Sequence, residues 1–406
     1  MKRPKGLAAN VLVLAGSTLV SLLVLEAGAR LVQALRPSSA VAEAACAGEV
    51  YAFSPSRHHR LIPGSCTRHQ TPEFDYLWTI NSLGMRDREH PRRKPAGVYR
   101  ILMLGDSFVQ GHGVRLEHTM VRRLETSLTG TPRQPRVEVL NAGIFGYSPL
   151  LEYLYLRELI EPLDPDLVVV GFFLGNDVGE DAFYATRARF TPGDESATFA
   201  DLDWPWSAIV KALDGDAQPD PSNGAPPAAG FRRLAAGMRE RSELLKFVAD
   251  RLAGSRQRQA YARRREEEFA LVAARRGDIR YDLGLVNYPI GSRETRLEYW
   301  RLSLGYLEKM RRVCGEHGAP MVIMVIPPIE RLLGQTTLDE PYEVMKDFGR
   351  AHDVPIVDLL PSLQGEAPES LYFKYDRHWT PRGQQVAADV LAAELQRWHL
   401  LPAASP

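Results

Sequence analysis

The segment that most constrains the fold is the run from Leu167 to Leu174, in which no residue has a polar side chain. A strand of this kind has both faces covered, as in the interior of a parallel sheet. Segments with the patterns of strands and helices alternate on either side of this run along the chain. The alternation predicts a parallel sheet with helices on both sides.

The predicted elements follow one another regularly from residue 99 onwards. The predicted strands are 99–104, 137–142, 167–174, 321–326 and 356–359. The predicted helices are 118–128, 149–163, 294–314, 340–352 and 381–398, the last with Pro381 at its start. Ligands of such sheets bind beyond the carboxyl ends of the strands, so residues that follow strand ends are the first candidates for a site.

The N-terminus has the pattern of a membrane anchor. Lys2, Arg3 and Lys5 precede an uncharged stretch, 7–25, which as a helix would span about 28 Å, close to the hydrocarbon thickness of a bilayer. Basic residues before such a helix predict a cytoplasmic N-terminus and an exported remainder, hence a single-pass inner-membrane protein. A cleaved signal peptide is the alternative, because 27–29 reads Ala-Gly-Ala, but the apolar run is long for a signal peptide.

Composition predicts how the rest of the chain is organised. Residues 1–30 are interpreted as the cytoplasmic stub and anchor, 31–71 as a tether and lead-in, and 399–406 as a tail. The main domain is predicted at 72–398. At about 185–292 it is interrupted by a segment rich in Pro, Ala, Gly and Arg, which predicts a helical and flexible insertion.

Charge and motifs exclude two classes of function. The chain has 50 basic and 50 acidic residues, so nothing electrostatic argues for a nucleic-acid partner. No GxxxxGK[ST] run is present, so a P-loop nucleotide site has no support.

The cysteines and several histidines raise separate questions. Cys46 and Cys66 lie in a part of the chain predicted to be outside the cytoplasm, where a disulfide between them is possible. Cys314 is expected to be a small buried residue near a helix end. The set His58, His59, Cys66 and His69 lacks the spacing of a zinc module and is interpreted as a loop cluster.

Three polar segments point to a serine nucleophile. Ser107 directly follows the first predicted strand, Asn176 follows the third, and His378 lies near the C-terminus. A serine hydroxyl needs a base to accept its proton, and a histidine can do this near neutral pH. Asp376 could hold the imidazole in the required tautomer and stabilise the imidazolium.

The oxyanion of the reaction would need preorganised donors. The backbone N–H groups of Ser107 and Gly146 and the side-chain amide of Asn176 form a plausible set, although Gly143 is an alternative to Gly146. Each residue also has a purely structural interpretation. Asn176 could simply close a turn, and His378 could pack beside a helix that starts at Thr380 and Pro381.

The chain resembles the SGNH hydrolases of the GDSL esterase superfamily, and in particular membrane-anchored bacterial members that begin with a single apolar helix. The matching blocks are Gly105-Asp106-Ser107-Phe108, Asn141-Ala142-Gly143-Ile144-Phe145-Gly146, Gly175-Asn176-Asp177 and Asp376-Arg377-His378-Trp379. The resemblance covers roughly residues 72–398. It implies a three-layer α/β/α sandwich with a flavodoxin-like parallel sheet and neither a metal nor an organic cofactor.

The same resemblance implies the roles of the site residues. Ser107 would be the nucleophile, Ser107, Gly146 and Asn176 the oxyanion donors, and Asp376 with His378 the rest of the triad. The chain departs from the commonest pattern because the aspartate lies two residues before the histidine, not three. Asp358, at the end of the fifth predicted strand, is therefore the alternative partner, and His112 is a rival base.

These observations lead to one main hypothesis and two alternatives. The first is a membrane-anchored extracytoplasmic serine esterase acting on an acyl ester, with the acyl group on a glycan or a lipid. The second uses the same site to pass the acyl group to a polysaccharide hydroxyl. The third is a non-catalytic glycan-binding or scaffold protein on the same fold.

Overall fold

The structure is a computed structural model of the chain. It describes residues 5–34, 46, 48–129, 136–191, 195–200, 259–263, 293–336 and 338–402. Most of the predicted insertion at 185–292 lies outside these residues, as do residues 35–45 and 47 of the predicted tether and lead-in. The helix at the N-terminus, α1 (Lys5–Ala34), belongs to one compact unit, and every strand named below belongs to a second unit.

Among the described residues, the strands of the second unit form one sheet and three hairpins. The hairpin strands are β1 (Tyr51–Ser54), β2 (His58–Leu61), β3 (Cys66–Gln70), β4 (Asp75–Thr79), β8 (Arg189–Phe190) and β9 (Ala197–Thr198). The sheet strands are β5 (Val98–Gly105), β6 (Arg136–Gly143), β7 (Leu167–Phe173), β10 (Met321–Ile326) and β11 (Ile356–Asp358).

Helices connect these strands. Those after β5 and β6 are α2 (Ser107–Gln110), α3 (Met120–Leu128) and α4 (Pro149–Leu163), with a 3₁₀ turn at Leu116–His118. The later ones are α5 (Asp177–Ala185), α6 (Arg293–Glu316), α7 (Ile329–Leu332), α8 (Glu340–His352), α9 (Leu360–Leu363), α10 (Pro368–Leu371) and α11 (Pro381–Arg397).

The central sheet is parallel throughout and has the order β11-β10-β7-β5-β6. Counted along the chain, this is the flavodoxin-like order 2-1-3-4-5, in which a ligand site forms beside the first strand at the carboxyl edge. The parallel sheet predicted from the alternating pattern is therefore confirmed.

The two faces of the sheet are buried in separate cores. Leu102 and Leu104 of β5 point into the core that contains α4, α6 and α8. Ile101 and Met103, the alternate residues of the same strand, point into the core that contains α3 and α11. Because successive side chains of a strand face opposite sides, an apolar strand of this kind requires a layer of helices on each face.

Three glycines form a row across the carboxyl end of the sheet. Gly105 of β5 is in register with Gly143 of β6 and with Gly171 of β7. A Cβ at Gly105 or Gly171 would come within 2.3 or 2.5 Å of Val109 Cγ2, and one at Gly143 within 2.4 Å of the Gln110 nitrogen. Because these three positions have no side chain, α2 can lie directly on the strand ends.

Residues 51–79, at the boundary of the predicted lead-in and main domain, form two β-hairpins that the sequence analysis did not predict. Strands β1 and β2 pair antiparallel, as do β3 and β4. Tyr51 and Leu61 are buried in the core of the second unit. The hairpins therefore extend the core of the second unit toward the N-terminus.

The interpretation of His58, His59, Cys66 and His69 as a loop cluster is wrong. His58 and His59 lie in β2, and Cys66 and His69 lie in β3. Cys66 forms a disulfide with Cys46, and Cys314 is a free, buried cysteine in α6. The period-two alternation of Cys66–Gln70 is too short to separate a strand from a loop by pattern alone.

Helix α1 comprises 30 residues. Within the residues described, no helix combines the length and the apolarity needed to cross a bilayer.

Candidate active site

Ser107 lies at the first position of α2, immediately beyond β5. Asp106 is the N-cap, and its Oδ1 accepts a hydrogen bond of 2.8 Å from the Phe108 N–H. A short helix at this place holds the serine at the carboxyl edge of the sheet, where the glycine row admits it.

His378 and Asp376 lie in the loop between α10 and α11. An isolated bridge between Tyr372 and Trp379 closes this loop, and the Phe373 N–H donates to the His378 carbonyl at 2.8 Å. After the loop, Thr380 caps α11 by accepting from the Arg382 N–H at 3.2 Å, with Pro381 at the next position. Thr380 and Pro381 thus start α11, as the sequence suggested.

The three residues form a hydrogen-bonded chain. The Oγ of Ser107 lies 2.7 Å from Nε2 of His378. The Nδ1 of His378 lies 2.6 Å from Oδ1 of Asp376. With the proton on Nδ1, the histidine donates to the carboxylate and accepts from the serine hydroxyl, which is the arrangement required of a general base.

The electrostatic environment favours a charged Asp376. Burial alone would raise the pKa of Asp376, but the neighbouring imidazoles of His112 and His378 hold this pKa well below its usual range. An ionised carboxylate at this place can stabilise an imidazolium formed on His378.

His112, considered from the sequence as a rival base, lies on the other oxygen of Asp376. Its Nε2 is 3.4 Å from Asp376 Oδ2, and its ring centroid is 4.5 Å from that of His378. The structure pairs the Ser107 hydroxyl with His378 and places His112 behind the carboxylate.

The backbone of the same loop is held by a residue that the sequence analysis did not single out. Glu73, in the turn between β3 and β4, accepts the backbone N–H groups of Tyr375 and Asp376 at 3.0 and 2.8 Å. Burial raises the pKa of Glu73. No local sequence signal connects residue 73 with residue 376, because the contact arises from the hairpin fold.

The candidate oxyanion donors lie on three adjacent strand ends. Gly146 belongs to the turn after β6, whose Tyr147 N–H donates to the Ile144 carbonyl at 3.0 Å. Asn176 is the N-cap residue of α5, after β7, and makes no side-chain cap bond. In the part of the chain that is described, the backbone N–H groups of Ser107 and Gly146 and the amide of Asn176 have no internal acceptor.

Gly143, the alternative to Gly146, is already engaged. Its N–H donates to Asn141 Oδ1 at 3.1 Å. Among the described residues, Gly146 is therefore the member of this pair whose N–H has no acceptor, and its φ of 73° lies in the left-handed region that favours glycine.

Asp358, the alternative partner of the histidine, lies at the end of β11. Its Oδ1 accepts from the Leu360 N–H at 3.0 Å, and burial raises its pKa. The observed contact of His378 is with Asp376 and not with this carboxyl.

A group of buried carboxyls lies next to the nucleophile. Burial raises the pKa of Asp106 and of Asp181 to about 7. Burial and repulsion from the other acidic residues of the group raise the pKa values of Glu152 and Asp177 well above their usual range. The sequence analysis missed this group, although an acidic residue on the buried side of a helix, as Glu152 is, could have signalled it.

In the described residues, His112, Asp376 and His378 are the group of acidic and histidine side chains compact enough to hold a metal ion, with ligand atoms within 4.8 Å of one another. The separations of 2.6 and 2.7 Å on the two sides of the His378 ring are hydrogen-bond distances, which suit proton transfer.

Residues 300–405 match a family model described as SGNH hydrolase-like domain, acetyltransferase AlgX. The matched segment contains Asp376 and His378, and the remaining blocks of the motif precede it in the expected order on the ends of β5, β6 and β7. The C-terminal part of the chain is therefore similar to an SGNH hydrolase-like domain. The match spans about a quarter of the chain.

A relative from Pseudomonas putida named "Probable alginate O-acetylase AlgJ" is 30% identical over 108 residues, which cover 24% of this chain and 28% of the relative. The chain thus spans little more than a quarter of the length of this curated relative.

Solved structures show similarity at low sequence identity. A lipase/acylhydrolase from Enterococcus faecalis is 12% identical and has a TM-score of 0.37, with 76% of this chain and 99% of that chain covered. A variant of Axe2, an acetyl-xylooligosaccharide esterase from Geobacillus, is 13% identical and has a TM-score of 0.38, with 73% and 94% covered.

Proposed function

We propose that this protein forms an acyl-enzyme on Ser107 and passes the acyl group to a hydroxyl of a glycan. The observation that carries the proposal is the hydrogen-bonded chain from Ser107 through His378 to Asp376, with separations of 2.7 and 2.6 Å. The family model, described as an acetyltransferase, supports transfer, and the named relative supports a polysaccharide acceptor.

In the first half of the proposed reaction, Ser107 Oγ attacks the carbonyl carbon of an acyl ester while His378 Nε2 accepts the hydroxyl proton. The carboxylate of Asp376 stabilises the imidazolium that forms. The C–O bond to the leaving alcohol then breaks, and the imidazolium gives its proton to the departing oxygen.

The negative charge of the tetrahedral intermediate would be met by the Ser107 and Gly146 N–H groups and by the Asn176 amide. Their lack of internal acceptors in the described chain supports this role, because donors already engaged would have to be released first. Loss of one such donor typically costs about 100- to 1,000-fold in turnover.

In the second half, a hydroxyl of the acceptor attacks the acyl-enzyme while His378 accepts its proton, and Ser107 is regenerated. When no glycan acceptor is present, water takes its place and the result is ester hydrolysis. The main hypothesis from the sequence, a serine esterase, and the transferase thus share every step up to the choice of acceptor.

We propose further, from the sequence pattern, that the uncharged stretch 7–25 anchors the protein in a membrane and that Ser107 lies outside the cytoplasm. The uncharged stretch 7–25 and the basic residues before it support this, as do Val13, Leu14 and Leu23, which are 72, 68 and 61% exposed. The Cys46–Cys66 disulfide supports an oxidising compartment. Alkaline extraction of membranes should leave the full chain in the pellet and should release a chain that lacks 7–25; release of both would contradict the anchor.

The test of the acyl-enzyme uses the full chain purified in detergent. It is treated with a fluorophosphonate probe and, separately, with a short-chain aryl acetate. The parent chain should be labelled and should turn over the ester, whereas Ser107→Ala should lose labelling and about 1,000-fold or more of kcat/KM. Absence of both activities in the parent would favour the non-catalytic scaffold.

The acceptor is tested in the same assay by adding oligosaccharides, with and without uronate residues, and measuring acetylated sugar by mass spectrometry. Transfer predicts acetylated sugar and a matching decrease in free acetate. Release of acetate alone, at a rate that no oligosaccharide changes, would leave hydrolysis as the function.

A further inference from the structure

His112 connects the nucleophile helix to the acid of the site. Its backbone N–H donates to the Ser107 carbonyl at 2.9 Å, at the end of α2. Its side chain is buried, 3% exposed, and its Nε2 lies 3.4 Å from Asp376 Oδ2. The same residue is thus fixed to α2 through its backbone and faces the acid loop through its ring.

The two oxygens of Asp376 have different histidine neighbours. Oδ1 lies 2.6 Å from His378 Nδ1, and Oδ2 lies 3.4 Å from His112 Nε2. A carboxylate with one such neighbour can rotate about its χ2 angle, which is a soft torsion. A second donor on the opposite oxygen restrains this rotation and keeps Oδ1 directed at His378.

The ring of His112 is itself held in place by aromatic neighbours from other elements. Its centroid lies 5.0 Å from that of His69 of β3 and 5.4 Å from that of Phe74, both in edge-to-face contact. On the side toward the site it lies 5.3 Å from the ring of Phe145. Packing on several sides fixes the ring plane and so the direction of Nε2.

We propose that His112 is a positioning residue that orients the Asp376 carboxylate, and through it His378, for the reaction at Ser107. The inference rests on the proposed function of Ser107 and Asp376. It differs from the role of rival base, because His112 acts on the acid and does not accept the serine proton.

The sharpest test compares two amides at the same position. In His112→Gln the side-chain nitrogen can occupy the place of Nε2, whereas in His112→Asn the shorter side chain leaves it out of reach of Asp376 Oδ2. Both variants bury an amide of similar polarity, so differences in folding are small between them. We expect His112→Gln to keep kcat within about threefold of the parent and His112→Asn to lose about 10- to 100-fold, with KM unchanged in both.

A double-mutant cycle separates positioning from a structural effect. If His112 acts only through Asp376, adding His112→Asn to Asp376→Asn should lower kcat less than twofold further. A structural role would instead multiply the two losses. Thermal melting of every variant is measured, with Gln70→Ala, an exposed change at the end of β3, as a control that should leave kcat unchanged.

The outcomes distinguish this inference from the proposed function. Equal kcat for His112→Gln and His112→Asn, or multiplicative losses in the cycle, would overturn the role of His112 while a reactive Ser107 remained. A parent chain that neither turns over the ester nor reacts with the fluorophosphonate would overturn both.

Discussion

Asp376 is buried and Asp358 is half-buried, and the two residues make different contacts. Asp376 bonds the His378 ring, whereas Asp358 bonds the backbone N–H of Leu360 at the start of α9. The contact of Asp376 is part of the proposed proton-transfer chain, whereas the contact of Asp358 stabilises the fold. The substitution that removes the negative charge should therefore have different consequences at the two positions.

We predict that Asp376→Asn lowers kcat about 1,000- to 10,000-fold, because the amide cannot stabilise an imidazolium and can favour the wrong tautomer of His378. Asp358→Asn should change kcat less than about threefold and should act mainly on stability. The measurement is steady-state hydrolysis of an aryl acetate by both variants. Comparable losses, or a larger loss for Asp358→Asn, would contradict the assignment of Asp376.

The buried carboxyls make a second prediction about single residues. The pKa values of Glu152 and Asp177 are raised well above normal and that of Asp181 to about 7, so the folded state holds protons that the unfolded state releases near pH 4. Stability from these groups is fully present below about pH 4 and is lost as pH rises through the folded-state values.

We therefore expect the melting temperature to fall between pH 5 and pH 8, and Glu152→Gln to reduce that fall because a neutral amide no longer repels Asp106 and Asp181. Asp389→Asn, on the surface of α11, is the matched control and should leave the slope unchanged. A slope identical in the parent and in Glu152→Gln would refute this explanation. Melting followed by circular dichroism at four pH values is sufficient.

Among the elements, α2 is the one whose placement depends on the sheet beneath it. The glycine row brings Val109 within 2.5 Å of where a Cβ at Gly171 would lie. A Cβ there must displace the Val109 side chain, and we expect α2 and Ser107 to shift with it. The expected effect is a displacement of Ser107 that lowers activity. This loss can be measured separately from any loss of stability.

We predict that Gly171→Ala lowers kcat about 100-fold, a loss typical of a misplacement of about 1 Å, and that adding Val109→Ala restores a large part of it because the clashing Cγ2 is removed. Val109→Ala alone should destabilise the fold by about 1–3 kcal/mol and affect kcat less. Activity and melting of the three variants test this. A double variant that is no better than Gly171→Ala would contradict the geometry of the row.

The hairpin of β3 and β4 is the second element tied to the site, because Glu73 holds the backbone of the acid loop. Glu73→Gln keeps one acceptor and loses the charge, so kcat should fall about 3- to 30-fold. Glu369→Gln, an exposed change on α10, is the control and should have no effect. An unchanged kcat in Glu73→Gln would show that the loop keeps its conformation without this clamp.

The regular elements were predictable from the sequence where their periodicity is strong. Pro149–Leu163, Met321–Ile326 and Glu340–His352 agree with the predicted bounds residue for residue, since each has a proline, a buried run or a capping signal at its ends. The hairpins were not predictable, because four- and five-residue strands carry too few alternations to stand out.

The candidate site shows the same division. Ser107 and Asn176 follow strand ends, so their convergence follows from the parallel sheet, whereas His378 lies in the loop before α11. Glu73 and the contact of His112 with Asp376 depend on how a hairpin and a loop pack in three dimensions. No spacing in the sequence predicts these contacts, which are seen only in the three-dimensional structure.

At the scale of the whole molecule, the disulfide bears both on the proposed extracytoplasmic location and on the proposed active site. Cys46 and Cys66 join the start of the second unit to β3, the strand that leads to Glu73. Removing both with Cys46→Ser and Cys66→Ser should destabilise this region by about 3 kcal/mol, because the closed loop of the unfolded chain is released. Denaturant unfolding of the parent, with and without a reducing agent, should show the same difference, and equal stability under both conditions would contradict it.

The central claim is that an acyl group is carried covalently by Ser107. The direct measurement is to quench the full chain with acid during turnover of an aryl acetate, digest it and locate the acetyl group by mass spectrometry. The account predicts acetate on the peptide that contains Ser107, and none on that peptide in Ser107→Ala. Turnover with the acetyl group on another residue, or with no acylated peptide under conditions that trap the intermediate, would contradict it.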